Sequence, residues 1–462
     1  MKKKYYNWTI LLIFSALYGI TQNNRIMYAI FILFFISFCV KILKEKNKKN
    51  SILDLLLISA IIPDNYIVIL YSIIAMLLTV RKRQKFNPYF VLIILLLFGN
   101  IVCNIVNPIN LLFFFIYSFP FWALYVFFSQ TSENKIIYEE LIVELYFIVF
   151  SQLISIFTYA ISHMSIIHSA RDLDWVTGTL GPYQGTVLMF ICVCCSTILL
   201  FDFTKRKNKK SLIISIISLA IALATTSLTY TIILMISFIG CLIICSKLKS
   251  HNKVALLSFV FIGSIAFIIF SPEWVVNEIP KLFEQDYFVN RVKKLEAYRN
   301  VFISMPKEFG FLCSIIGCGA GQYSSRAALT CTGTYIDSYS TFFPISMSPY
   351  TERFILHSNN IKEGLSANSM SEIIAIQGEF GYIGLIVMLV LLILLVKKCK
   401  SFFSMMIVCF FIGLFLVDNV IEYAKYGVFF WLCFSMCNYN KCIFLDFFKK
   451  HNQEKPYEWV KK

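Results

Sequence analysis

Apolar runs of bilayer-spanning length recur along this chain, and clusters of Lys and Arg separate them. Ile26–Leu43, Tyr89–Val106, Ile109–Ser129, Gln184–Phe203 and Val254–Ser271 each approach the roughly 20 residues that cross a hydrocarbon core as a helix. In hydrocarbon every backbone N–H and C=O needs a partner within the protein, which makes helices the natural fold for such runs. With 58% hydrophobic side chains and only 15% charged, the composition excludes an ordinary soluble domain. A net charge of +16 would suit nucleic acid if it were gathered on one surface. Instead, most of the Lys and Arg fall in Lys2–Lys4, Lys41–Lys49, Arg81–Lys85, Lys135, Lys205–Lys210, Lys247–Lys253, Lys397–Lys400 and Lys441–Lys462. Clusters spaced by one or two spans are the positive-inside pattern, which argues against a nucleic-acid partner.

Threading the chain with every cluster on the cytoplasmic side predicts an all-α polytopic integral membrane protein of about 14 transmembrane helices, with both termini inside. Ser51–Val80 is basic at both ends, so it must hold two short helices turning at Pro63-Asp64-Asn65. The same parity places Asn104–Asn110, His163–Gln184 and a large, partly helical loop, Ser271–Glu372, outside. The expected organisation is a transmembrane bundle over 1–270, the extracytoplasmic loop over 271–372, C-terminal transmembrane helices over 373–440 and a cytoplasmic tail over 441–462. Met1-Lys2-Lys3-Lys4 resembles the start of a signal peptide, but no small-residue cleavage site follows, so the segment reads as a first transmembrane helix. The fifteen Cys lie mostly inside spans, where they act as small apolar residues. Cys313, Cys318 and Cys331 in the loop allow at most one disulfide and have no metal-ligand spacing.

Chemistry is concentrated in the large loop, which carries Arg291, Arg299, Arg326 and Arg353. Asp286–Phe302 reads as an amphipathic helix with Phe288, Val292, Leu295, Tyr298 and Phe302 on one stripe. Arg291 and Arg299 flank Leu295 on that apolar side, while Lys293 and Lys294 point away. A guanidinium on a buried face needs an anion, and its planar fork suits phosphate. An internal carboxylate, Glu284, Asp286 or Glu296, is the alternative partner. Gly317-Cys318-Gly319-Ala320-Gly321 follows, a pattern able to turn its N–H groups onto an anion, with Arg326 close behind. It lacks the Lys-Ser/Thr end of a P-loop. Tyr335, Asp337 and Tyr339, with Asn368 further on, offer the rings and polar groups of a glycan-binding surface. An ordinary loop packed on itself is the alternative.

Two carboxylates mark the return to the membrane. Ser369-Met370-Ser371-Glu372 has capping-box spacing, so Glu372 is expected to serve a helix N-terminus. Glu379 lies deeper in an apolar run, where an acid is a functional candidate or a hydrogen-bonded structural group. Asn368, Glu372 and Glu379 fall on one helical stripe. Smaller signals are Arg171-Asp172-Leu173-Asp174 in the loop His163–Gln184, and Asp418 and Glu422 one turn apart near the outer end of the penultimate span.

Together these features resemble the O-antigen polymerase and O-antigen ligase superfamily of bacterial envelope glycosyltransferases. Gly178-Thr179-Leu180-Gly181 is similar to its Gly-Thr-Phe-Gly element. Arg291…Gly317-Cys318-Gly319-Ala320-Gly321…Ser325-Arg326 is similar to the start of its large periplasmic loop. Asn368-Ser369…Glu379-Phe380-Gly381-Tyr382-Ile383-Gly384-Leu385 is similar to the motif that closes that loop. The chain departs from the pattern at Ala367, where the ligases have His, and in Thr225-Thr226-Ser227-Leu228-Thr229-Tyr230, which lacks an expected basic residue. The gap from Asn368 to Glu379 is also one helical turn longer than the family's.

The resemblance implies a multi-pass protein of the bacterial cytoplasmic (inner) membrane, with its site facing the periplasm. Its expected activity is metal-independent and needs no cofactor. It polymerises undecaprenyl-pyrophosphate-linked oligosaccharide repeats into O-antigen or capsular polysaccharide. Membrane lipid, a repeat-unit flippase and a chain-length regulator are the further partners implied. On this expectation Arg291, Arg299 and Arg326 bind pyrophosphate, Tyr335, Asp337, Tyr339 and Asn368 bind glycan, and Glu379 or His357 accepts the proton. Ligation to lipid A–core and non-enzymatic flipping of a lipid-linked glycan are the alternatives. Ala367 disfavours the first, and the nearly uncharged spans disfavour the second.

Overall fold

A computed structural model describes residues 6–44, 48–79, 98–100, 104, 106–131, 135–163, 176–182, 184–225, 227–245, 293–332, 343–356 and 371–438. Among them every regular element is a helix. The N-terminal part contains α1 (Tyr6–Thr21), α2 (Asn24–Lys44), α3 (Lys48–Ile61), α4 (Tyr66–Thr79), α5 (Pro108–Thr131), α6 (Lys135–Ser162), α7 (Gly185–Arg206), α8 (Lys209–Ala224) and α9 (Leu228–Cys245). The large loop contributes α10 (Lys293–Arg299), which runs on through a π-helical turn, Asn300–Ser304, into α11 (Met305–Phe309). Next come α12 (Phe311–Ile316), α13 (Arg326–Thr330) and α14 (Pro349–Thr351). The chain then forms α15 (Glu372–Lys397), α16 (Phe402–Leu414) and α17 (Ala424–Asn438).

Among the described residues four helices are long and apolar enough to cross a membrane, namely Pro108–Ser129, Tyr138–Ser162, Gly185–Arg206 and Glu372–Lys397, and shorter apolar helices accompany them. The two short helices expected on either side of Pro63-Asp64-Asn65 are α3 and α4. Of the apolar window of α7, 83% is buried, against 22% for α15, so α7 is central and α15 lies at the rim. Small residues let α7 take that place. Ser196 and Ser215 bond to each other at 2.8 Å, and Ser218 donates to the Cys192 carbonyl at 2.8 Å, joining α7 to α8 at backbone range. On α15, Ile386, Leu389 and Ile393 remain exposed, as residues facing lipid tails would be.

The bundle has two chemically different poles. At one, Asp202 accepts the Ser211 hydroxyl at 2.6 Å and pairs with Arg206, and Lys397, Lys398 and Lys400 lie at the end of α15. The opposite pole gathers the turn at Pro63, the segment around Asn104–Asn110, the turn at Gly178–Gln184 and the large loop. Thr179 Oγ1 donates to the Ile61 carbonyl at 2.6 Å, and Asn107 Nδ2 donates to the Pro344 carbonyl at 3.1 Å. Pro63 lies against Gly181, and Asn104 and Asn110 lie against Gly319 and Gly321 of the loop.

Candidate functional site

The glycine-rich turn does wrap an anion with its N–H groups, and the anion is Glu379. One Glu379 oxygen accepts the N–H of Gly321 at 2.8 Å, and the other accepts those of Tyr323 at 3.2 Å and Ser325 at 3.1 Å. Its own carbonyl accepts the Gly319 N–H at 3.1 Å and the Asn100 amide at 2.8 Å. Asn100 completes the lock by accepting the Ala320 N–H at 2.9 Å. The glycines are dictated by this approach. A Cβ at Gly317 would collide with the Glu379 backbone, and one at Gly378 with the Tyr323 ring. At Gly381 the helix breaks, with φ 63° and ψ −162°, so that the backbone passes against Ile315. Glu379 is 1% exposed, and its oxygens are committed to the glycine turn whose pattern is able to hold an anion.

Glu372 also differs from its expected part. Ser371 caps α15 by accepting the Ile374 N–H at 3.1 Å, while Glu372 reaches across to accept the Ile421 N–H at 3.2 Å. Glu422 accepts the Arg326 N–H at 2.5 Å and the Asn419 amide at 3.3 Å. Burial pushes the Glu422 carboxyl well above the usual range, and the charges of Glu372 and Glu379 add to this, while the Arg326 N–H and guanidinium oppose it.

Arg326 follows the wrapped turn directly. Ser325 caps its short helix by accepting the Ala328 N–H at 3.2 Å. The guanidinium lies 4.3 Å from the centre of the Tyr423 ring and 5.8 Å from that of Tyr117, a cation between two π faces. Tyr423 donates to Gln184 at 2.7 Å, and the Tyr117 hydroxyl is 3.4 Å from that of Tyr66. Lys425, fully buried, donates to the Ile62 carbonyl at 2.7 Å and feels the charges of Asp64 and Arg326. Ser324 Oγ and Asn419 Oδ1 are buried without a hydrogen-bond partner, and Asn419 donates from its amide to the Ser324 carbonyl at 3.3 Å.

An apolar cavity of about 330 Å³ opens beside this cluster between α5 and α15. Phe114, Phe115, Phe119, Trp122 and Phe380 line it, and Glu372, Glu379 and Glu422 close its polar end. Arg326 is therefore joined through Glu422 to the wall of an aromatic slot.

The other expected site residues are placed differently or fall elsewhere. Arg299 is exposed rather than buried. The buried stripe is Ala297, Val301 and Met305, with Tyr298 and Phe302 partly buried beside it. Arg353 is spoken for by Glu308, at 2.7 and 2.9 Å. Cys313, Cys318 and Cys331 are all free thiols, and Cys331 bonds to Asn110 Oδ1 at 3.3 Å. Arg291, Tyr335, Asp337, Tyr339, His357 and Asn368 lie outside the described residues, as does Arg171-Asp172-Leu173-Asp174. Sequence reasoning passed over Tyr117, Tyr423, Gln184 and Lys425. Of these, Lys425 carried a usable signal, because it is a lone cation entering an apolar run.

Comparison with protein-family models, with curated proteins and with solved structures finds no match for this chain.

Proposed function

We propose that this chain is a multi-pass glycosyltransferase of the bacterial cytoplasmic membrane. In this reading it has about fourteen spans and polymerises undecaprenyl-pyrophosphate-linked oligosaccharide repeats on the outer face. The observation that carries the reading is the placement of Arg326: Glu422, on the wall of an aromatic cavity that opens at the rim of the bundle, holds its backbone N–H, and its guanidinium rests against Tyr423 and Tyr117. A lipid-linked pyrophosphate has a matching division, with an anionic head and a polyprenyl tail. The acceptor sugar hydroxyl attacks the anomeric carbon of the donor, the bond from that carbon to the pyrophosphate oxygen breaks, and the pyrophosphate departs with the electron pair. Arg326 offsets the charge that develops there without requiring a metal. The tyrosines on either side hold its guanidinium in place. Glu379 fixes the turn that presents Arg326, and His357 is the remaining proton acceptor expected from the sequence.

Deletion of the gene, scored on a polysaccharide gel, tests the reading. Loss of the long-chain ladder with retention of single-repeat glycan supports a polymerase. Complete loss of attached glycan indicates the ligase reaction instead, and an unchanged ladder refutes both.

A further inference from the structure

At the pole opposite Arg326, the ends of α5, α15 and α17 enclose a cavity of about 460 Å³ that includes Lys397, Lys398, Lys400, Ser435 and Asn438. Its described lining contains three lysines and no carboxylate. Lys398 donates to the Tyr125 hydroxyl at 2.9 Å with its charge 5.3 Å from the same ring. Asn438 accepts the Lys400 N–H at 2.8 Å, which leaves the Asn438 amide nitrogen as a donor. The cavity leads into an apolar cleft that shares Tyr125, Lys398 and Trp431 with it and continues along Leu391, Leu394 and Leu395. The indole of Trp431 donates to the Phe121 carbonyl at 2.8 Å, so this wall is held rigidly. A cationic pocket joined to an apolar cleft along the rim helix has the two-part chemistry of a lipid with an anionic head.

We infer that this groove binds an anionic glycerophospholipid, with its phosphate among Lys397, Lys398 and Lys400 and one acyl chain along the cleft. Charge complementarity selects the occupant. Three ammonium groups with hydroxyl and amide donors suit a phosphodiester of net negative charge better than a zwitterionic head. Each basic residue near an anionic lipid surface contributes roughly a fivefold preference. The inference does not depend on the reaction proposed above, because its lysine pocket lies at the other pole and uses none of that site's polar residues; the cleft itself meets the aromatic slot at Trp122, Met388 and Ile421.

The full-length protein, purified in detergent and stripped of lipid, is titrated with dioleoylphosphatidylglycerol or dioleoylphosphatidylcholine, and bound lipid is counted by native mass spectrometry. The wild-type protein should retain phosphatidylglycerol preferentially. K397A/K400A leaves the Lys398–Tyr125 pair intact and should lower that retention roughly twentyfold. Leu395→Trp, which fills the cleft at a position that does not line the aromatic slot and spares the lysines, should also lower it. K207A/K209A/K210A removes three exposed charges from the α7–α8 end of the bundle and should retain the lipid as the wild type does. Equal retention of both lipids, or wild-type retention by K397A/K400A, would overturn the inference. So would a polyprenyl phosphate as the resident lipid carried through purification.

Discussion

The carboxylate of Glu379 accepts the N–H of Gly321 across 58 residues of chain, at 2.8 Å and almost wholly shielded from solvent. Removing the side chain strands three N–H donors together, and each buried unpaired donor costs about 1–3 kcal/mol. Glu379→Ala should therefore collapse the level of folded protein in the membrane. Glu379→Gln keeps one acceptor but turns an N–H₂ toward donors, so it should lower the melting temperature as well. Wild-type abundance of both variants, measured by quantitative blot against an unrelated membrane protein, would refute the structural role.

Arg326 should behave in the opposite way, because its side chain is partly exposed between two rings and its backbone N–H makes the fold-bearing contact. Arg326→Ala is expected to abolish polymer at near-normal abundance. Arg326→Lys keeps the charge, loses the planar fork and should leave a reduced ladder. A full ladder from Arg326→Ala removes this residue from the proposed site.

Glu422 gives the protein a pH signature whose sign can be worked out. Its folded carboxyl holds a proton at pH values where the unfolded chain has already released it. The folded state then binds more protons, so this residue's contribution to stability is greatest at low pH. That contribution declines as pH rises from the ordinary carboxylate range through the raised folded value. Glu422→Gln should flatten this decline. Melting temperatures in detergent between about pH 5 and 9 would read it, and identical pH profiles for variant and wild type would contradict the assignment.

Parity of the basic clusters predicts opposite sides for Ser340 and Asn208. A periplasm-active reporter fused at Ser340 should be on and one fused at Asn208 off. Matching signals from the two fusions would rule out a loop-based mechanism at the outer face.

The Pro63-Asp64-Asn65 turn was legible because it depends on local composition, and the helix–turn–helix of α3 and α4 follows that turn. The glycine alternation was legible as an N–H cradle, but its occupant was not. Glu379 and Gly321 are far apart in sequence, and periodicity carries no information on which anion meets which turn. Arg299 shows the limit of stripe counting. The most buried face runs along Ala297, Val301 and Met305, and the spacing of the larger apolar residues does not announce it. Tyr423 and Tyr117 were invisible for a third reason, since in a chain with 25 Tyr no single ring stands out until a cation is found between two of them.

The Glu379 clamp also orders events during synthesis. The turn at 317–325 leaves the ribosome well before the residue it must enclose, and Glu422, which receives the Arg326 N–H, comes 96 residues after that arginine. Chain growth at about 5–20 residues per second makes this a wait of several seconds. Through that interval the glycine turn has no carboxylate to close upon. The pole around Arg326 therefore closes only after the last helices have been made, and a transcript cut short before codon 379 leaves the glycine turn without its carboxylate.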